Sequence, residues 1–168
     1  MGEMARKICK LDINELLKIL NEAFAEEWLA YYQYWIGAQV VQGPERSAIQ
    51  KELMEHANEE LEHAQKVATR IIQLGGTPLL DPAEWTAKAK IKYAAPKDSC
   101  VHTILNQNIA GERGAIERYQ KICEMTMGKD IATFHMARQI LTDEIEHEQD
   151  LEDFAADIAL TGCAVKKK

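Results

Sequence analysis

Apolar residues recur at steps of three and four along four long stretches of the chain, the pattern expected when one face of an α-helix is buried. Glycine, proline and capping residues separate these stretches. We predict helices at about 12–41, 44–75, 98–127 and 130–160. Asp12 followed by Glu15, and later Asp130, are predicted to cap helix starts, whereas Asp98 or Ser99 is predicted to cap the third helix.

The segments outside these helices determine how the helices connect. Residues 1–11 are predicted to be an irregular lead-in. Residues 77–97 contain Pro78, Pro82 and Pro96 and cannot form one long helix, although Asp81-Pro82 could cap a short one through Ala89. A connection of this length suits a crossover between opposite ends of a bundle. The predicted fold is therefore an all-α antiparallel four-helix bundle, a single domain over residues 1–168, without a fifth packed helix.

Ionisable residues interrupt the apolar stripe of every predicted helix. The interruptions are Glu27 in the first helix, Glu60 and His63 in the second, Glu112 in the third, and Glu144 and His147 in the fourth. Glu22 and Glu26 fall off the stripe of the first helix, so register alone makes Glu27 its inward carboxylate. A glutamate and a histidine three residues apart share one helix face and can reach one point.

The interruptions repeat at matched spacing. Glu27 precedes Glu60 by 33 residues, Glu112 precedes Glu144 by 32, and a tyrosine, Tyr34 or Tyr119, follows each lone glutamate by seven. A lone Glu-x-x-His usually lies on a solvated helix face. Here two copies, each paired with a glutamate on an apolar stripe, indicate two equivalent half-chains. Each half-chain supplies one Glu and one Glu-x-x-His to the middle of the bundle.

Four buried carboxylates and two imidazoles at one level of a bundle indicate a two-metal site. Without cations the carboxylates would repel one another, whereas two divalent ions neutralise them formally. Oxygen-rich ligation with one imidazole for each metal suits iron or manganese. The alternative is a buried charge network that sets the register of the bundle. His56, one turn before Glu60, would either contact a metal, support a ligand or line a pore.

Composition narrows the class of protein. A formal charge of −7 argues against DNA binding by the folded body and favours cations, although Lys166-Lys167-Lys168 form a short basic tail. No apolar run reaches the length of a membrane span and no signal peptide is evident, so we predict a cytoplasmic protein.

The cysteines have no C-x-x-C spacing, which predicts reduced thiols and excludes a rubredoxin-like or zinc-finger quartet. They are Cys9, Cys100, Cys123 and Cys163.

At these residues the chain resembles ferritin-like proteins, specifically the Dps-like branch with a bacterioferritin-type site. The resemblance covers most of residues 12–160. Its motifs are Glu27-Trp28-Leu29-Ala30-Tyr31-Tyr32-Gln33-Tyr34, Glu60-Leu61-Glu62-His63-Ala64, Gly111-Glu112-Arg113-Gly114-Ala115-Ile116 with Tyr119, and Met127-Gly128-Lys129-Asp130 leading to Asp143-Glu144-Ile145-Glu146-His147-Glu148. The set of one Glu from each of two helices and Glu-x-x-His from each of the other two is that of ferritin-like dimetal proteins.

The resemblance implies roles for the six residues. Glu60 and Glu144 would bridge two irons, Glu27 and Glu112 would be terminal ligands, and His63 and His147 would bind one metal each. The implied activity is a ferroxidase, which oxidises Fe(II) with hydrogen peroxide or dioxygen, stores iron in a protein shell and protects against oxidative stress.

Three departures refine this expectation. The residue after the second-helix glutamate is Leu61 where bacterioferritin has a haem-ligating methionine, so no haem is expected. Dps-like proteins often carry two cysteines on the third helix, but here Gly114 stands in place of one and only Cys123 remains. The chain ends eight residues after the fourth predicted helix, which favours a shell of twelve subunits over one of twenty-four.

Three other functions use parts of the same pattern. A manganese catalase would keep the six ligands and act on peroxide at manganese. A rubrerythrin-like peroxidase would also keep them but would need the missing cysteine quartet. A DNA-compacting Dps-type protein is disfavoured by the acidic charge. The sequence leaves the preferred oxidant and the iron capacity open.

Overall fold

Four long helices form a bundle in the structure, a computed structural model that describes residues 3–160. The helices are α1 (Glu3–Ile8), α2 (Ile13–Val40), α3 (Arg46–Gln73), α4 (Trp85–Lys88), α5 (Val101–Thr126) and α6 (Ile131–Leu160). The predicted all-α fold is confirmed. No helix within residues 3–160 is both long enough and apolar enough to cross a membrane. Cys163 and Lys166-Lys167-Lys168 lie outside the described residues.

The helix boundaries follow local capping chemistry. Asp12 Oδ1 accepts the main-chain N–H groups of Asn14 at 2.8 Å and Glu15 at 3.0 Å, as predicted. The start of α3 was predicted two residues too early, because Glu45 has a left-handed φ of 57° and cannot belong to the helix. The start of α5 was also predicted too early. Asp98 accepts the N–H of Cys100 at 2.9 Å, which holds Cys100 in an extended conformation before the first helical residue.

Two short helices accompany the bundle. The predicted irregular lead-in is wrong for residues 3–8, which form α1, a six-residue helix with no buried side chain. The predicted short helix of the crossover is confirmed. There, the side chain of Asp81 accepts the N–H of Ala83, a 3-10 turn spans Pro82–Glu84, and α4 adds four residues. The crossover lies along α2, where Trp85 stacks on Trp28 with ring centroids 5.0 Å apart.

The crossover sets the directions of the helices. A short turn joins α2 to α3, and another joins α5 to α6, so each pair is antiparallel. The crossover brings the start of α5 beside the end of α2, where Gln42 N–H donates to the Ser99 carbonyl at 2.7 Å and Val101 N–H donates to the Gln42 carbonyl at 2.9 Å. Consequently α2 and α5 are antiparallel neighbours.

The apolar core is divided into two clusters. The first includes Leu16, Leu20, Val67, Ile71, Ile122 and Ile140. The second includes Val41, Ile49, Leu53, Ile104, Leu105 and Leu151. Six buried ionisable residues fall between the two clusters along the four long helices, so the fold places a polar layer across the middle of the bundle; they are Glu27, Glu60, His63, Glu112, Glu144 and His147.

Candidate metal centre

All six predicted ligand residues meet in the polar layer. Their exposed fractions are 3% or less. They form two groups whose potential ligand atoms lie within 4.8 Å of one another: Glu27, Glu60, His63 and Glu144 in one, and Glu60, Glu112, Glu144 and His147 in the other. Two residues, Glu60 and Glu144, belong to both groups.

The two histidines point the same ring atom inward. His63 Nδ1 lies 3.3 Å from Glu144 and 3.5 Å from Glu60, and His147 Nδ1 lies 3.2 Å and 3.4 Å from the same two residues. The outward Nε2 of His63 lies 3.1 Å from Asp143, and that of His147 lies 2.6 Å from Glu59. An outer carboxylate of this kind fixes the orientation of a metal-binding imidazole and strengthens it as a ligand.

The shared carboxylates divide their oxygens between the two groups. Glu60 presents Oε2 to His63 and Oε1 to His147. Glu144 presents Oε1 to His63 and Oε2 to His147. A carboxylate with one oxygen towards each of two imidazoles has the geometry to link two metal ions.

Several buried atoms of the centre lack a hydrogen-bond partner. They are Glu27 Oε2, His63 Nδ1, Glu112 Oε2, both side-chain oxygens of Glu144, and His147 Nδ1. Buried polar atoms are normally hydrogen bonded, and leaving one unsatisfied costs about 1–3 kcal/mol. These atoms converge on one place, so the donor set fits a pair of metal ions.

Two buried tyrosines connect the half-chains. Tyr34 donates a hydrogen bond to Glu112, and Tyr119 donates one to Glu27. Each tyrosine therefore serves the glutamate of the other half-chain rather than the one seven residues before it. Burial, reinforced by the nearby carboxylates, raises the pKa of both phenols well above the usual value, so both remain donors.

Burial and crowding make the metal-free centre retain protons. Burial raises the pKa of Glu27 and Glu112 well above the ordinary carboxyl value, and the charges of neighbouring glutamates add to this effect. Burial lowers the pKa of His147, but its carboxylate neighbours outweigh that effect and raise it to about 12. Metal binding must displace such protons, so metal affinity should increase with pH.

Glu22 and Glu26, which register placed outside the buried stripe, are also buried. Arg118 from α5 binds Glu26 through two contacts of 2.6 and 2.7 Å and contacts Glu22 at 3.2 Å. Glu26 additionally accepts the main-chain N–H groups of Lys90 and Ile91 at 2.7 and 3.3 Å. The crossover covers this face of α2, so the two carboxylates bind the crossover and α5 instead of facing solvent.

Two cavities reach the centre from opposite sides. One has a volume of about 300 Å³, lies against the crossover and is mainly apolar, with Ala30, Ile91 and Ala115 among its lining residues together with Glu27 and Glu112. The other, between α3 and α6, has a volume of about 510 Å³ and is lined mainly by carboxylates, with His63 and His147 at its base.

His56 lies beside the centre but belongs to neither group. Its ring stacks on His147 with centroids 4.1 Å apart, and its Nε2 lies 3.6 Å from both Glu52 and Asp150. Burial, followed by the charge on His147, lowers the pKa of His56 to about 3. His56 therefore lies next to the candidate ligand His147 and outside the two groups that form the six-residue centre.

The described cysteines lie apart from this chemistry. Cys9, Cys100 and Cys123 form no disulfide with one another. Gly114 of α5 packs against the crossover. A Cβ at Gly114 would lie 2.9 Å from the side chain of Ile91, so the absence of a side chain lets the crossover approach α5.

Comparison with known proteins identifies the family. The family model described as a ferritin-like domain matches residues 17–161. This chain belongs to the ferritin-like family. Ferritin-like relatives include the DNA protection during starvation protein of Pyrococcus furiosus, which is 37% identical over 145 residues, or 85% of this chain and 78% of that protein. A bacterioferritin of Rhodobacter capsulatus is 26% identical over 139 residues, covering 82% of this chain and 81% of the relative.

A solved structure supports the same placement. The bacterioferritin-related protein of Bacteroides fragilis, a dodecameric thioferritin, superposes with a TM-score of 0.94 and 49% identity. The match covers 99% of this ferritin-like chain and all of that one. Within the family, the buried carboxylate and histidine groups fit a di-iron site.

Proposed function

We propose that this chain is a ferroxidase that oxidises Fe(II) at a di-iron centre within each subunit and stores the product inside a shell of twelve subunits. Glu27, Glu60, His63, Glu112, Glu144 and His147 would be the iron ligands. The observation that supports this most strongly is the division of oxygens by Glu60 and Glu144, because each directs one oxygen to each imidazole.

The chemistry follows from the charge of the centre. Two Fe(II) ions bring four positive charges to four carboxylates, which removes the repulsion that burial makes costly. Two irons held together can deliver two electrons at once. One hydrogen peroxide with two protons then becomes two waters while two Fe(II) become two Fe(III), or one dioxygen with two protons becomes hydrogen peroxide. The acidic cavity between α3 and α6 would suit Fe(II), and the apolar cavity against the crossover would suit the uncharged oxidant.

The proposed shell rests on a relative. The thioferritin of Bacteroides fragilis is dodecameric and matches nearly the whole chain at 49% identity. We therefore expect the same subunit number here. Two rivals remain testable: a manganese catalase would contain manganese and release dioxygen from peroxide, whereas a rubrerythrin-like peroxidase needs a cysteine quartet that the sequence lacks.

The experiment compares Glu144→Ala with Glu146→Ala by stopped-flow Fe(II) oxidation with peroxide. Glu144 is fully buried between both imidazoles, whereas Glu146 is exposed on the same helix. Loss of a shared ligand should slow oxidation by more than about 100-fold, beyond the effect expected for losing an outer hydrogen-bond partner. Glu146→Ala should oxidise iron almost as fast as the wild type. Equal rates in the wild type and Glu144→Ala, or equal damage in both variants, would refute the proposal.

A further inference from the structure

A third group of metal-binding side chains lies beside the six-residue centre. Glu52 and His56 are one turn apart on α3, and Asp150 faces them from α6. One ligand atom from each residue lies within 4.8 Å of the others, and His56 Nε2 is 3.6 Å from both Glu52 Oε1 and Asp150 Oδ2. Two atoms bound to one ion at about 2.1 Å lie roughly 3.0–4.2 Å apart, so small rotations would bring these three atoms to one ion.

His56 supplies evidence independent of the carboxylates. Its side chain is 3% exposed, its Nδ1 has no hydrogen-bond partner, and the 3.6 Å separations of Nε2 are too long for hydrogen bonds. Stacking on His147 and edge contact with Tyr34 hold the ring in place. The buried imidazole is therefore fixed with Nε2 between two carboxylate oxygens, at separations longer than a hydrogen bond, and a cation bound to Nε2 would fill that gap.

The surroundings are strongly acidic. The cavity between α3 and α6 is lined by seven carboxylates and, among the described residues, by a single lysine, Lys66. Such a concentration of negative charge raises the local concentration of divalent cations. Because the cavity also reaches His147, cations gathered there would lie next to the candidate di-iron centre.

We propose that Glu52, His56 and Asp150 bind a third divalent transition-metal ion, separate from the pair held by the six ligands. Water would complete its coordination, because Asp150 and Glu52 are partly exposed. His147 stands between this site and the pair, with one ring face on His56 and Nδ1 towards Glu60 and Glu144. The third site would hold Fe(II) before it passes His147, and this role rests on the proposed ferroxidase function.

Binding is tested with Mn²⁺, which dioxygen does not oxidise readily at neutral pH. Anomalous difference maps from Mn²⁺-soaked crystals of the wild type should show three peaks per chain, one of them within about 2.5 Å of His56 Nε2. Asp150→Asn should lose that peak and keep the other two. Asp157→Asn, which makes the same change on an exposed position of α6, should keep all three. His56→Gln is a second variant expected to lose only the third peak.

The outcomes separate the two proposals. Two peaks at the six ligands without a third in the wild type would overturn the third site and leave the di-iron centre standing. A peak at His56 alone would support the third site and contradict the di-iron centre. A third peak that persists in both Asp150→Asn and His56→Gln would overturn the assignment of its ligands.

The role of the third site in delivering Fe(II) is tested separately by steady-state kinetics. Asp150→Asn should raise the apparent KM for Fe(II) at least about threefold while kcat at saturating iron changes less, and Asp157→Asn should change neither. An unchanged KM in Asp150→Asn would overturn delivery through this site.

Discussion

Arg118 provides a sharp test of how the crossover and α5 are held against α2. The residue is 7% exposed and contacts Glu26 through two nitrogens, so Arg118→Met removes the charge while retaining most of the apolar stem. Removing one partner from a buried ion pair typically costs about 3–5 kcal/mol, because the other charge remains buried without compensation. Glu26 keeps the N–H groups of Lys90 and Ile91, and Glu22 keeps Lys90 Nζ at 2.9 Å.

Because these contacts remain, we expect the free energy of unfolding to fall by about 3 kcal/mol, the lower end of this range. For a chain of this size that loss corresponds to a decrease in Tm of about 6–12 °C. The assay is thermal unfolding of metal-free protein at equal chain concentration, because assembly makes Tm depend on concentration. Adding Glu26→Gln to Arg118→Met should recover part of the loss, since it removes the uncompensated charge.

Arg113 is the matched control on the same helix. It also contacts two glutamates, Glu148 and Glu152, each at 2.6 Å, but its side chain is 60% exposed. Exposed ion pairs are screened by water and contribute little, so Arg113→Met should change Tm much less than Arg118→Met. Equal shifts in the two variants would refute the reasoning that burial gives the Arg118 contacts their strength.

Four further predictions concern the metal centre and the assembly. His147 and the two glutamates with raised pKa, Glu27 and Glu112, hold protons in the folded metal-free state that they release on unfolding. The metal-free protein should therefore lose stability as pH rises from 6.5, by about 1.4 kcal/mol per pH unit for each retained proton. A Tm that rises over pH 6.5–9 would contradict this. Asp143→Ala should weaken metal binding about 10–100-fold in titration calorimetry through its contact with His63, whereas Glu62→Ala, on an exposed position of α3, should not. Light scattering should give a mass near twelve times 19.0 kDa, and a mass near twenty-four chains would show that the relative misleads. A gel shift at low salt should show no DNA binding, because the chain carries a net charge of −7.

The convergence of the six candidate ligands followed from helical register because each lies on a long apolar stripe. Glu60 and His63 occupy positions on the apolar stripe where core residues are expected, and Glu144 and His147 do the same in the second half-chain. The outer partners Asp143 and Glu59 could not be found in this way. Each lies one residue before a candidate ligand glutamate, and its contact with a histidine of the other helix forms only when α3 and α6 pack together.

The crossover caused the other differences. Register correctly placed Glu22 and Glu26 away from the bundle interior, but it could not show that residues 90 and 91 would cover that face. Their burial depends on contacts with Arg118 and the crossover main chain, which are distant in sequence. The short α1 has no buried residue and therefore leaves no apolar periodicity that would predict it.

The central claim is that two iron ions share Glu60 and Glu144 inside each subunit. It is tested most directly by anomalous diffraction at the iron absorption edge from crystals soaked with Fe(II) under anaerobic conditions. We expect two peaks per subunit, one near His63 and Glu27 and one near His147 and Glu112, each within about 2.5 Å of oxygens from both shared glutamates. Iron-loaded crystals with no peak among these six side chains would contradict it.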